Sequence, residues 1–330
     1  MTDDVRSEEF ITGYLLDGKG GSRELGRKQI EQWKPADGLL WVHVDRASPF
    51  GRSWLREACQ IPALICDALL LDEPRPRTLV ANDGVMSVLR GVNLNADGNM
   101  DDMEDMVSLR LWVEEKRVID LRHRKLREVS NVRDQLALGH GPTTAGDLLL
   151  ELANTMIERM DPVVDHLEDE IEDLELVQDS DRIPEIRATL SSIRRRTVRL
   201  RRYLAPQRDA LTRLRIDPLS WKTPQQEERL RELVERINHT IEDLDWVREH
   251  AEIAQDELAS LQSESAGVAM YRVSIITGVL LPPSLLAGVL GANVAGIPFG
   301  DSPYAFPLLC AGILALTLFE IALLRRLKWL

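Results

Sequence analysis

The hydrophobic pattern changes character twice along this chain, and each change marks a different kind of structure. Between residues 39 and 121 the pattern is mixed. Leu39-Leu40-Trp41-Val42-His43-Val44 predicts a strand, and residues 53–70 have helical spacing. Residues 78–94 predict a hairpin around Asn82-Asp83-Gly84, a strong turn signal. Residues 107–113 alternate, and Glu114-Glu115-Lys116 turns them into a further strand at 117–121. This is an α/β region with no nucleotide-binding loop and no nucleophile elbow. His43 and His123 stand alone on strands, where packing or surface roles are expected of them.

After Thr143 the period becomes helical. Residues 145–177 form one long amphipathic run whose second half is acidic: Asp165, Glu168, Asp169, Glu170, Glu172, Asp173 and Glu175. Residues 183–204 are basic, with Arg194, Arg195, Arg196, Arg199, Arg201 and Arg202. An antiparallel hairpin with paired charges accounts for both, each exposed pair adding little. The basic run has a second reading, a patch for lipid headgroups or nucleic acid. The acidic helix has one too, because unpaired carboxylates beside an ion path raise the local cation concentration. His166 among these acids is read as a surface histidine rather than a metal ligand. Thr223 and Pro224 suit the N-cap and first position of the last long helix. That helix runs from about Gln225 past Arg272 and Pro282-Pro283 to Gly291, over about 60 residues or roughly 100 Å. Such a helix is expected to pack with copies of itself or with the preceding helices.

The second change begins at Gly267. Residues 273–290 (VSIITGVLLPPSLLAGVL) carry no charge, and residues 304–324 carry one, Glu320. Both runs match the roughly 30 Å apolar core of a bilayer and predict two membrane spans; the alternative is a pair of buried core helices. Arg272 opens the first span and Arg325, Arg326 and Lys328 close the second, while the loop 292–303 has no Lys or Arg. Both termini are therefore expected in the cytoplasm. The division is a cytoplasmic α/β domain at 1–143, a helical stalk at 144–266 and a two-span membrane domain at 267–330, an α+β architecture.

Composition hides this division. The 330 residues are 44% hydrophobic and 29% charged, with a net charge of −13 and a mean hydropathy of −0.19, figures of an ordinary soluble protein. Yet residues 267–330 hold four basic and two acidic residues, a net of +2, which leaves −15 for the rest. The acidic balance excludes a general nucleic-acid binder. Three cysteines, Cys59, Cys66 and Cys310, make no disulfide framework or zinc motif. The N-terminus has no signal-peptide pattern.

One stripe carries the functional signal. Counting back from Gly291 by sevens gives Ser284, Thr277, Met270 and Ser263; the companion row is Gly288, Leu281, Ser274, Gly267 and Ser260. Eight of these ten residues are Gly, Ser or Thr. A left-handed bundle keeps a seam of this period on its axis. Small residues also let helices pack closely in lipid, so packing alone is one reading. The other is a pore, because hydroxyls within hydrocarbon need partners that water in a lumen supplies, and Leu281 and Met270 form apolar rings that gate by dewetting. Two spans per chain then require several chains around the axis.

Past this stripe the chain reads Gly291-Ala292-Asn293-Val294, then Gly296-Ile297-Pro298. A long helix entering the first of two C-terminal spans, Gly-x-Asn at its exit and a basic-aromatic tail, Arg325 to Trp329, together resemble the CorA superfamily of divalent-cation transporters. The runs Glu104–Trp112, Met270–Ser274 and Gly291–Pro298 are similar to its zinc-transporting ZntB branch, and the likeness covers essentially the whole chain. It implies a homopentamer with a funnel-shaped cytoplasmic domain, in the inner (plasma) membrane, whose first span lines a central pore. The transported ion is then Zn2+, with proton-coupled uptake and export as the alternative direction, and no covalently bound cofactor is expected. The usual motif is Gly-Met-Asn, and the magnesium branch carries acids just after it. Here Ala292 and a loop with only Asp301 depart from that pattern. Asn293 offers a neutral amide oxygen; a ring of them holds the water shell of a divalent ion and releases it, an outer-sphere metal site. Tight zinc binding would need His, Cys or carboxylate ligands, and residues 267–300 hold none. Asp256, below Ser260 and Ser263, is the nearest acid to the cytoplasmic mouth; a packing role is open to it as well. Two alternatives stand beside the zinc reading, a Mg2+/Co2+ channel of the same superfamily and a membrane-anchored coiled-coil scaffold. No nucleophile–base pair points to an enzyme.

Overall fold

The computed structural model describes residues 10–72, 74–92, 106–122, 127–175, 182–292, 303–327 and 329. Its contacts divide the chain into two units, residues 1–254 and 255–330. His123 and Asn293 lie outside the described residues, as do Glu104, Asp301 and the segment 293–300.

The first unit is built on a seven-stranded sheet. Its strands are β1 Ile11–Leu16, β2 Ser22–Leu25, β3 Leu39–Asp45, β4 Arg77–Ala81, β5 Gly84–Gly91, β6 Val107–Glu114 and β7 Arg117–Arg122. The spatial order is β2-β1-β3-β7-β6-β5-β4. Only β3 and β7 are parallel, with Val42 opposite Ile119; every other pair is antiparallel. The predicted hairpin is present, with Asn82 and Asp83 at φ 50° and 60°, the backbone that a two-residue turn between twisted strands requires. All eight residues of β5 are buried, because helices cover both faces of the sheet centre, and such strands lose polar alternation.

One face packs on α1 Arg27–Gln32, α2 Pro49–Glu57 and α3 Ala63–Leu70, with Leu40, Val44, Leu55, Leu69, Met86 and Trp112 in the core. The expected single helix over 53–70 is two helices. Pro62 caps the second, and a proline disfavours helical backbone in the residue before it. The orphan carbonyls at the end of α3 are met by buried arginines. Arg110 donates to the carbonyls of Leu69 (2.6 Å), Leu71 and Asp72 (3.0 Å). Arg46 reaches Leu70 and the Asp72 carboxylate, 3.0 Å away.

The remaining helices of this unit are α4 Arg127–Ala137, α5 Ala145–Glu158, α6 Asp161–Glu175, α7 Ile183–Ile216 and the start of α8, Pro224–Leu290. Helix α5 packs on β5 and β6, and α7 on β4 and β5. The run expected as one helix over 145–177 breaks at Arg159-Met160, where Pro162 suits the first turn of a new helix. The basic helix continues beyond 204 to Ile216, through Pro206. There Gln207, buried, accepts a 2.6 Å hydrogen bond from the main-chain N–H of Arg90, so packing on the sheet outweighs the lost helical rung. Thr223 caps α8 as predicted. Its hydroxyl accepts from the Gln226 N–H, and the Gln226 side chain accepts from the Thr223 N–H, a reciprocal cap. Gln226 also donates to Thr144 and Asp147 at the start of α5, at 2.9 and 3.0 Å.

The second unit holds the rest of α8 and α9 Ala305–Arg326.

Candidate ion pathway

Helix α8 continues without interruption to Leu290, and its apolar stretch and that of α9 have mean hydropathies of 2.0 and 2.2. No residue in either stretch is buried. A core helix of a soluble protein is shielded over most of its surface, so the core-helix reading fails and two lipid-facing spans remain.

Shielding within this unit is one-sided. On α8 the half-buried positions are Ile275, Val279, Pro282 and Pro283; on α9 they include Leu309, Ile313, Leu316, Thr317, Glu320 and Leu324. Each set repeats every three or four residues, the stripe by which one helix meets a neighbour. Gly267, Met270, Ser274, Thr277, Leu281, Ser284 and Gly288 are all exposed. At 3.6 residues per turn they fall on the side of α8 opposite its half-buried stripe. A Cβ added to Gly267 or Gly288 would meet nothing within 4 Å. The small residues therefore do not serve packing within one chain.

The hydroxyls of the seam do not require a water-filled lumen. Ser274 Oγ donates to the Met270 carbonyl at 2.9 Å, and Thr277 Oγ1 to the Val273 carbonyl at 2.8 Å. These hydroxyl protons are satisfied by the preceding turn of their own helix and need no water. The case for a pore rests instead on which side the seam faces. Gly291 is not among the residues with positive φ. Its N–H donates to the Ala287 carbonyl, and a Cβ there would stand 2.8 Å from that oxygen, so close approach selects glycine. Ala292 follows, exposed, and Asn293 is beyond the described residues. Asp256, Ser260 and Ser263 are exposed on the same helix.

In the first unit three of the six arginines singled out on α7 form ion pairs, and they reach two helices rather than one. Arg196 binds Glu170 of α6 at 2.8 Å, whereas Arg194 and Arg201 bind Glu252 and Asp245 of α8 at 3.1 and 2.8 Å. His166 pairs with Glu170 at 3.2 Å, a surface role as expected. The acids that α6 turns toward α8 are crowded. Burial pushes the Glu168 carboxyl above its usual range, and Asp243 of α8 with Asp165 and Glu172 adds to the effect. Burial likewise raises Asp161 against the pull of Arg236. Asp243, which the sequence reading did not single out, thus belongs to this acidic surface; its signal is the i, i+4 spacing to His239, 3.0 Å away. Among the described residues, no three His, Cys, Asp or Glu side chains are arranged to hold a metal.

A large α/β domain followed by two lipid-facing helices, the first bearing a one-sided seam of small residues, defines an integral membrane protein of the two-span type. Residues 36–326 match the family described as CorA-like Mg2+ transporter protein. The chain belongs to this family of divalent-cation transporters. It is similar to the divalent cation transporter CmaX of Pseudomonas aeruginosa, at 38% identity over 97% of each chain. It is similar also to the zinc transport protein ZntB of Yersinia pseudotuberculosis, at 32% identity over 99% of this chain and 98% of the other. The solved structure of full-length CmaX superposes with a TM-score of 0.82 at 36% identity, covering 98% of this chain and 99% of that one.

Proposed function

We propose that several copies of this chain, five by resemblance, surround a central pore in the inner membrane and carry Zn2+ inward with protons. The observation that carries this reading is the exposed seam from Gly267 to Gly288, on the side of α8 away from its shielded stripe. In an assembly that places these seams on the axis, Met270 and Leu281 form apolar rings and Ser274, Thr277 and Ser284 the polar ones. Gly291, Ala292 and Asn293 stand at the outer mouth, where the Asn293 amide holds a hydrated ion. Asp256, Ser260 and Ser263 face the cytoplasmic mouth, and the acidic surface of α6 concentrates cations around the cytoplasmic domain. Both termini lie in the cytoplasm. The zinc preference draws on the likeness to ZntB, on Ala292, and on a loop without the acids of the magnesium branch. A Mg2+/Co2+ channel is the second reading, favoured by the family match.

Purified protein in liposomes decides between them. Zn2+ uptake is expected to exceed Mg2+ uptake, to rise with an inward proton gradient, and to be largely abolished in Asn293→Ala. Equal or greater Mg2+ flux assigns the second reading, and unchanged uptake in the variant removes Asn293 from the pathway.

A further inference from the structure

A second site lies in the α/β domain. Thr12 of β1, His43 of β3 and Asp120 of β7 are direct partners across neighbouring strands, so their side chains stand on one face of the sheet. His43 Nδ1 is 2.6 Å from Asp120 Oδ2. The same oxygen accepts from Trp41 Nε1 at 2.7 Å. The His43 approach is an ion-pair contact: Asp120 Oδ1 and both ring nitrogens of His43 are buried and have no hydrogen-bond partner among the described residues. Asp120 is 0% exposed and His43 7%. Buried polar atoms left without partners on two neighbouring residues are the mark of a missing partner. A cavity of about 310 Å3 adjoins both residues, at the small end of the range for small-molecule sites.

The lining restricts what that partner is. Besides Asp120 it carries the Glu24 carboxylate, the Arg122 and Arg133 guanidinium groups, and the side chains of Tyr14 and Thr12. A simple anion would meet the buried Asp120 carboxylate, and a simple cation the two arginines. Metal coordination has too few converging ligands among the described residues. A molecule with opposite charges at its two ends complements both carboxylates and both guanidinium groups at once. We propose that this cavity binds a small zwitterion, an α-amino acid in the simplest case. Its ammonium donates to Asp120 Oδ1 and approaches Glu24, and its carboxylate faces Arg122 and Arg133, a charge-assisted arrangement at both ends. The His43 imidazole and the Trp41 indole N–H hold Asp120 in place to receive it. The transporter would in this way read an organic solute through its soluble domain.

The test uses the full-length protein in detergent, titrated by calorimetry with L-serine, L-glutamate and L-arginine, and with sodium acetate and ammonium chloride as the two halves. Saturable binding is expected for at least one amino acid, with neither half matching it. Affinity falls about tenfold or more in Asp120→Asn and in Arg122→Gln. Arg122 is only half-buried, so its variant decides the matter should Asp120→Asn fail to fold. The proposal is overturned if no amino acid saturates, if acetate or ammonium alone binds as tightly, or if Arg122→Gln binds like the parent.

Discussion

The hydroxyl of Tyr271, at the start of the first span, donates a hydrogen bond to the main-chain carbonyl of Trp329, beyond the end of the second. Residues 58 positions apart are thus tied at one end of the two-span hairpin. Arg272, Arg325 and Arg326 flank the same junction, so the tie and the charges that orient the spans coincide. Tyr271→Phe removes this hydrogen bond and leaves the ring. It is expected to destabilise the hairpin by about 0.5–1.5 kcal/mol, seen as a lower unfolding midpoint in detergent, with the folded spectrum unchanged.

Gly288 and Gly312 provide the test of the proposed pore, one on the exposed seam of α8 and the other on α9. Neither has an atom within 4 Å of an added Cβ, so a single chain tolerates leucine at both. Gly288→Leu should reduce ion flux about tenfold or more by closing an axial constriction. Gly312→Leu, on the second span, should leave flux near the parent value. Equal effects of the two variants in the liposome assay would place the seam elsewhere than on the axis.

Glu168 makes the acidic surface sensitive to pH. Its carboxyl is raised above 4.5 by burial and by Asp243, so the folded state binds its proton more tightly than the unfolded state does. The stability it contributes is present at low pH and is lost as pH rises through the raised folded value. Glu168→Gln should therefore raise the unfolding midpoint at pH 7 relative to the parent, and the gain should vanish near pH 4. Millimolar Mg2+ should narrow the same gap at pH 7 by screening the ionised acids.

Gln226 joins the cap of the longest helix to the start of α5. Gln226→Ala loses the bonds to Thr223, Thr144 and Asp147 and empties a buried site. A cost of about 2 kcal/mol is expected, measurable by chemical denaturation. It should come with earlier amide exchange in residues 144–148 and 223–227.

Much of this was readable from residue pattern alone, and the exceptions have local causes. Pro224 and Thr223 announced the start of α8 because capping depends on neighbours in sequence. The charge-free run 273–290 announced a span because hydrocarbon admits little else. The breaks at Pro62 and Arg159-Met160 were missed, since apolar spacing continues across each while the backbone does not. Helix α7 ran past Pro206 because Gln207 and the sheet secure it, and no local signal reports a partner such as Arg90, 117 positions away. The pairing of His43 with Asp120 depends likewise on parallel register between β3 and β7, invisible to either segment by itself. For the seam, the sequence supplied the residues and the structure supplied the side of the helix they occupy.

Pro282 and Pro283 sit inside α8, within the first span, and neither nitrogen can donate. The carbonyls of Gly278 and Val279 are thereby left without their helical donors. Two missing rungs in succession make this the most compliant joint of a rod about 100 Å long. The first span can flex there, on the half-buried side of α8 and away from the exposed seam.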